Sequence, residues 1–153
     1  MTIKHSTGLR TNMVGTTGFG ATFDRGVIHI YSGPQPVSAD APVTGTLLGV
    51  VTESAGAFSF GSATNGLQFE SAAAGEVAKK TAQEWKFKGL ANGTAGWFRL
   101  MGNASDALGT STTSPRLDGN IGTSGADLNL SNIAVTTNTP CTIDVFIYGI
   151  PAF

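Results

Sequence analysis

Residues 95–101 read AGWFRLM, and this stretch determines what fold we expect. Phe98 and Leu100 occupy alternate positions, which is the period-two pattern of a β-strand with two unlike faces. We expect these two side chains to face the core. Trp97 and Arg99 then lie on the opposite face, which forms either an interface with a neighbouring protein or a second layer of the core.

The segment before this strand has the same alternation. In residues 84–88 the apolar side chains Trp85 and Phe87 share one face and three charged side chains share the other. An Asn-Gly pair at positions 92 and 93 separates the two segments, and it is a strong turn signal because both residues tolerate positive φ. We therefore expect residues 84–90 and 95–101 to form a hairpin.

Short strand-like segments recur along the rest of the chain. They lie at residues 27–31, 47–52, 57–60, 67–70, 116–122, 126–130, 133–136 and 141–148. In the last of these, Ile143, Val145 and Ile147 alternate and should point the same way. Helix is scarce, with room for a turn or two only at residues 6–14 and 72–80. Many short strands separated by turns predict an all-β, two-sheet antiparallel β-sandwich.

The N-terminal region has a different pattern. It is poor in strand signals but carries apolar residues at Ile3, Leu9, Met13 and Val14. We expect residues 1–26 to form an extended N-terminal arm and connector that orders on a neighbouring protein. Residues 27–153 are expected to form the β-sandwich domain.

Composition excludes several kinds of partner. Only 12% of the 153 residues are charged, about half of the ~25% usual in soluble domains, so the predicted surface is polar but weakly charged. Nine basic and ten acidic residues give a net charge of −1, too little cationic charge for nucleic acid to be the main partner. No run of apolar residues is long enough for a membrane span, and no secretory signal is recognisable at the start. We expect the protein to be made in the cytoplasm.

The chain contains little that suggests chemistry. His29 lies in a predicted strand and is expected to be a structural histidine, His5 lies among the first residues, where positioned chemistry is not expected, and no His or Cys residues have metal-ligand spacing. The single cysteine, Cys141, excludes an intramolecular disulfide. We therefore expect no enzyme activity, no metal and no cofactor. Two alternatives stay open: a carbohydrate-binding surface built on Trp97 or Tyr31, and a hydrolase whose carboxylates converge from separate strands.

Three stretches together resemble one family. Residues 28–36 read IHIYSGPQP and lead through an Ala/Asp-rich turn into TGTLL at 44–48. Residues 93–100 read GTAGWFRL, and the opening HSTGLRTN at 5–12 contains Arg10. Their order and content resemble the head decoration, or cement, proteins of tailed bacteriophages, which have a jelly-roll fold. The glycine- and threonine-rich stretch 13–26 departs from that pattern.

The resemblance implies a structural role on the outer surface of the phage head, in the virion. The partners that it implies are the phage major capsid protein and further copies of this chain, as a homodimer or homotrimer. The predicted protein-interface residues are Ile3, Leu9, Arg10, Met13, Trp97 and Arg99. The alternative within the same virus is a carbohydrate-binding β-sandwich module of a tail or fibre.

Overall fold

A computed structural model describes residues 3–152, and within them the chain forms eleven strands and two helices. The N-terminal elements are β1 (Lys4–His5), α1 (Thr7–Val14) and α2 (Gly18–Phe23). The remaining strands are β2 (Val27–Ser32), β3 (Leu47–Glu53), β4 (Glu76–Ala78), β5 (Trp85–Lys88), β6 (Gly93–Met101), β7 (Arg116–Gly122), β8 (Leu128–Asn129), β9 (Ala134–Val135), β10 (Pro140–Ile143) and β11 (Ile147–Gly149).

The strands form one large sheet and one small one, which confirms the all-β sandwich expected from the sequence. The large sheet has the order β1-β7-β6-β2-β3-β5-β10, with β8 attached to β7 and β9 to β6. The small sheet pairs β11 with β4. Within the large sheet, the order β6-β2-β3-β5 is a Greek key, since β6 returns to lie beside β2. A jelly roll has two Greek keys, so that finer topology stays a prediction.

The hairpin expected across residues 92 and 93 is wrong. Strand β5 pairs with β3 and β10, whereas β6 pairs with β2 and β7. The Asn92 side chain instead accepts a hydrogen bond from the backbone N–H of Thr137, 2.9 Å away, as the chain crosses between sheet positions. A local turn signal could not anticipate this, because β6 is buried over most of its length and needs a neighbour on each edge.

The strand expected at residues 141–148 is interrupted. Strand β10 ends at Ile143 and β11 begins at Ile147, and the two belong to different sheets. The interruption changes which side chains face inward: Phe146 is 5% exposed, whereas Val145 is 64% and Ile147 is 55% exposed. The apolar face predicted from Ile143, Val145 and Ile147 therefore holds only at Ile143, and two large apolar side chains face outward.

The N-terminal region differs from the extended arm expected for residues 1–26. From residue 3 onward it folds back onto the sandwich, and residues 1 and 2 lie outside the described part of the chain. Ser6 caps α1, accepting the N–H of Leu9 on its hydroxyl, and this turns the Leu9 side chain fully into the core. Gly8 permits the close docking, since a Cβ there would lie 2.3 Å from the carbonyl oxygen of Thr113. Helix α1 falls where residues 6–14 predicted a helical turn, whereas the 72–80 region contains β4 instead.

Candidate functional site

The six residues predicted from the sequence as interface residues fall into two groups. Leu9, Trp97 and Arg99 are 0% exposed, so their predicted place on an exposed interface is wrong. Ile3, Arg10 and Met13 lie together along a groove on the surface of the sandwich. Trp97 and Arg99 do not line this groove, whereas Leu9 lies on α1 beside Arg10 but faces the core.

Trp97 and Arg99 contribute to a layer on the far side of the large sheet. The Trp97 ring stacks on Tyr31 with centroids 4.6 Å apart, and its indole N–H donates to the carbonyl of Thr44 at 3.3 Å. The loop that carries Thr44 covers both rings, and Tyr31 is only 3% exposed. The alternative of a second core layer is therefore confirmed for this face. It also means that neither ring offers a platform on which a sugar could stack.

Two buried ion pairs lie in the same layer. The Arg99 guanidinium donates two hydrogen bonds of 2.7 Å to the Asp118 carboxylate, and neither side chain is exposed. Arg116 donates two bonds of 2.6 Å to Asp106, which reaches in from the loop at residues 102–115. Arg99 also donates to the carbonyl of Ala41, 3.1 Å away. These pairs join the sheet to the two loops that cover it, so the charges have structural partners within the chain.

The titrating groups of this layer are not set for acid–base chemistry near neutrality. Burial lowers the pKa of His29 to about 4, against a smaller opposite effect of Asp106, and burial raises the pKa of Tyr31 to about 12. Burial also raises the pKa of Asp118, an effect that the adjacent Arg99 opposes. Asp106 is shifted the other way, since its hydrogen bonds from Arg116 and Leu108 outweigh its burial and lower its pKa. The carboxylates of Asp106 and Asp118 thus each form an ion pair with an arginine.

The second group lines an open groove of about 510 Å³ between the N-terminal helix and the C-terminal strand. Its walls are mainly apolar and are formed by Ile3, Met13, Val14, Ile147 and Ile150, with Arg10 at the side of α1. Val14 is 89%, Ile147 is 55% and Ile150 is 61% exposed. Few apolar side chains of this size are so exposed in residues 3–152, and half of them meet here. A contiguous apolar surface of this kind usually marks a contact with another molecule.

Tyr148 forms the floor of the groove and is held from several sides. Its hydroxyl lies 2.8 Å from Nε2 of His5, and its ring stacks on Phe19 with centroids 4.1 Å apart. The hydroxyl also donates to the sulfur of Met13 at 3.8 Å. These contacts connect β1, α1, α2 and β11 around the groove. The shape of the groove therefore exists before anything binds.

The groove has little charge. Burial, and then the nearby Arg10, lower the pKa of His5, so the imidazole is neutral at pH 7. Arg10 is exposed and donates to the hydroxyl of Thr7 at 2.9 Å. Asp127 also borders the groove, where its carboxylate accepts the backbone N–H of Asn120 at 3.0 Å. Arg10 is thus the cation available to an incoming group.

Sequence reasoning predicted three of the eleven residues that line this groove, Ile3, Arg10 and Met13. Ile147, Tyr148 and Ile150 were not among the predicted interface residues, because residues 141–148 were expected to form one half-buried strand. A signal was present in the sequence, since Ile150 is a large apolar residue directly before Pro151, a residue that ends strand pairing. What the sequence did not indicate is the interruption at residues 144–146, which turns Ile147 outward.

Comparison of this chain with protein-family models, curated protein sequences and solved structures finds no match. Within residues 3–152, no cluster of three or more His, Cys, Asp or Glu side chains is arranged to hold a metal ion. The two helices in that range are too short and too polar to cross a membrane. The functional assignment therefore depends on the chain's own residues.

Proposed function

We propose that this protein is a structural component of a tailed-bacteriophage virion, a head decoration or cement subunit that binds across major capsid subunits and stabilises the shell. The observation that carries the proposal is the preformed apolar groove between α1 and β11, on a domain that buries Trp97, Arg99 and Asp118. The sequence motifs at residues 28–36 and 93–100 support the assignment to the head decoration proteins, because they resemble motifs of that family.

The distribution of charge supports a binding role over a catalytic one. Two of the nine basic residues, Arg99 and Arg116, are buried in ion pairs, as are two of the ten acidic residues, Asp106 and Asp118. This leaves even less charge on the surface than the composition suggests. A weakly charged surface with an apolar groove permits close packing of many copies at high local concentration, because long-range repulsion is small.

Reinforcement follows from binding alone. A subunit that binds the assembled shell more tightly than free capsid subunits stabilises the assembled state by mass action. Many copies act together, so each contact can be modest. The protein itself assembles as a homodimer or homotrimer on the outer face of the head, since decoration sites lie near local symmetry axes of the shell.

Cryo-electron microscopy of purified virions at side-chain resolution tests this function. We expect density for this chain on the outer face of the head, in contact with at least two capsid subunits, with the groove between α1 and β11 at the contact. Density for this chain on the tail and none on the head would contradict the proposal and would favour the glycan-binding alternative. In that case a glycan array should identify a ligand, and the sugar would have to bind somewhere other than the covered Trp97 and Tyr31.

A further inference from the structure

Strand β11 has a partner on only one of its two edges within residues 3–152. It pairs antiparallel with β4, and no other strand of that range is bonded to it. Strand β4, by contrast, is joined on its other side to the segment at residues 68–70, where Phe69 bridges Lys79. The small sheet therefore ends at β11, and this end is the wall of the apolar groove.

The register shows which backbone groups of β11 face the groove. The N–H of Lys79 donates to the carbonyl of Phe146, and the N–H of Ile150 donates to the carbonyl of Gly75. In an antiparallel ladder, hydrogen bonding to one neighbour alternates along the strand, so residues 146, 148 and 150 bond toward β4. The N–H and C=O groups of Ile147 and Gly149 then point to the opposite side. They lie at the groove wall beside exposed apolar side chains.

We propose that the groove binds an extended, mainly apolar peptide segment of the capsid subunit, which adds to the free edge of β11 as a further strand and places a carboxylate against Arg10. This inference rests on the proposed function and identifies the site and chemistry of that contact. Backbone hydrogen bonds to Ile147 and Gly149 would supply affinity, and alternate apolar side chains would fill the space between Met13, Val14 and Ile150.

Two features favour a single peptide strand over the edge of a second copy of this chain. The free edge of β11 faces helix α1 across the groove. The groove has a volume of about 510 Å³, which suits a short segment of peptide. A second β11 would bring its own α1 with it, and the two helices would compete for the same space. The charges of the lining place the occupant's carboxylate at Arg10, which is the exposed cation of the groove, and not at Asp127, the acidic lining residue, whose carboxylate accepts the backbone N–H of Asn120.

The sharpest test uses two substitutions at Gly149. Gly149→Pro removes the N–H that faces the groove, and Gly149→Ala adds a similar side-chain atom but keeps the N–H. Both variants should keep the β4 pairing, because proline is tolerated on an edge strand where its nitrogen faces outward. An added Cβ at this position meets only the flexible side chain of Glu76, at 3.0 Å. The probe is expanded capsid shells prepared without this protein, and the measurement is the dissociation constant of each variant for those shells.

We expect Gly149→Pro to weaken shell binding about tenfold or more, and Gly149→Ala to leave it near that of the unmodified protein. A second pair tests the apolar wall: Ile147→Lys should weaken binding to a similar extent, whereas Leu90→Lys should not. Leu90 is a matched control because it is 56% exposed, as against 55% for Ile147, and it does not line the groove. Arg10→Glu should weaken binding and Lys88→Glu, at an exposed cation elsewhere, should not.

The other outcomes separate the two proposals. If the unmodified protein binds shells and the proline and lysine variants bind equally well, strand addition is overturned while the decoration role stands. If the unmodified protein does not bind shells, the decoration role fails and the capsid segment fails with it. Sedimentation of the free variants gives the remaining outcome: if Gly149→Pro converts an oligomer into a monomer, the groove holds a second copy and the peptide proposal is overturned.

Discussion

The layer around Arg99 and the groove around Tyr148 reverse the usual distribution of polar and apolar residues. In the first, charged side chains are 0% exposed, and each is paired within the chain. In the second, isoleucine and valine side chains are more than half exposed. A buried charge with an internal partner is explained by the fold, whereas an exposed apolar surface is not. The comparison therefore gives the region around Arg99 a structural role and makes the groove the proposed binding surface.

The largest expected effect comes from breaking the buried layer. Asp118→Ala leaves the Arg99 guanidinium buried without its carboxylate, and we expect this to lower the free energy of unfolding by about 3–5 kcal/mol. Urea denaturation followed by fluorescence measures it. The double variant Arg99→Met, Asp118→Leu is the control and should recover much of the loss, because it removes both charges. A loss below about 1 kcal/mol in the single variant would mean that solvent reaches this layer.

The pH dependence of the free energy of unfolding tests the same buried layer. Burial holds the pKa of His29 at about 4, below the 6.5 of an exposed histidine, so between these values the unfolded chain binds a proton that the folded chain does not. Stability should therefore fall as the pH decreases from 6.5 toward 4, by up to about 3 kcal/mol from this residue. Asp106 and Arg99 are the charged groups acting on His29, and they act in opposite directions.

His29→Gln provides the matched comparison, because glutamine keeps a polar group near the Tyr31 hydroxyl, 3.1 Å from Nδ1 of His29, but does not titrate. The difference between the unmodified protein and this variant, measured by urea denaturation at several pH values, isolates the histidine. Parallel curves for the two proteins would show that His29 is accessible to protons in the folded state.

The smallest effect on stability is expected in the groove. Ile150→Ala should change the free energy of unfolding by less than about 0.5 kcal/mol, because this side chain is 61% exposed. Leu9→Ala, on the adjacent helix but 0% exposed, should cost about 2–5 kcal/mol. Thermal and urea denaturation of the two variants side by side test the contrast. A cost for Ile150→Ala equal to that for Leu9→Ala would mean that the groove is part of the core and not a surface kept for a partner.

Part of the candidate site was predictable from residue types. Ile3, Arg10 and Met13 were expected to form an interface because they are apolar or motif residues in a region poor in strand signals, and they do lie together along the groove. Leu9 is also apolar and lies in the same region of the sequence, but its side chain faces the core. The difference is one of helix face, since the Ser6 cap sets where α1 begins and so which side chains turn inward.

The alternation in residues 95–101 was enough to separate Phe98 and Leu100 from Trp97 and Arg99, because strand periodicity is a local property of the backbone. It could not show that the loops at residues 33–46 and 102–115 cover the second face, which left the interface and the second core layer as equal alternatives. The Asn92-Gly93 signal failed for the same reason, since a turn specifies a local bend and not the strand partners.

By itself, then, the sequence determined that the chain alternates as short strands and that it carries few charged residues. The tertiary structure alone decided which strands pair, which faces are covered, and that residues 144–146 interrupt a strand so that Ile147 and Ile150 face a groove. Side-chain alternation depends on adjacent residues, whereas burial depends on contacts between segments more than 100 residues apart, such as His5 with Tyr148.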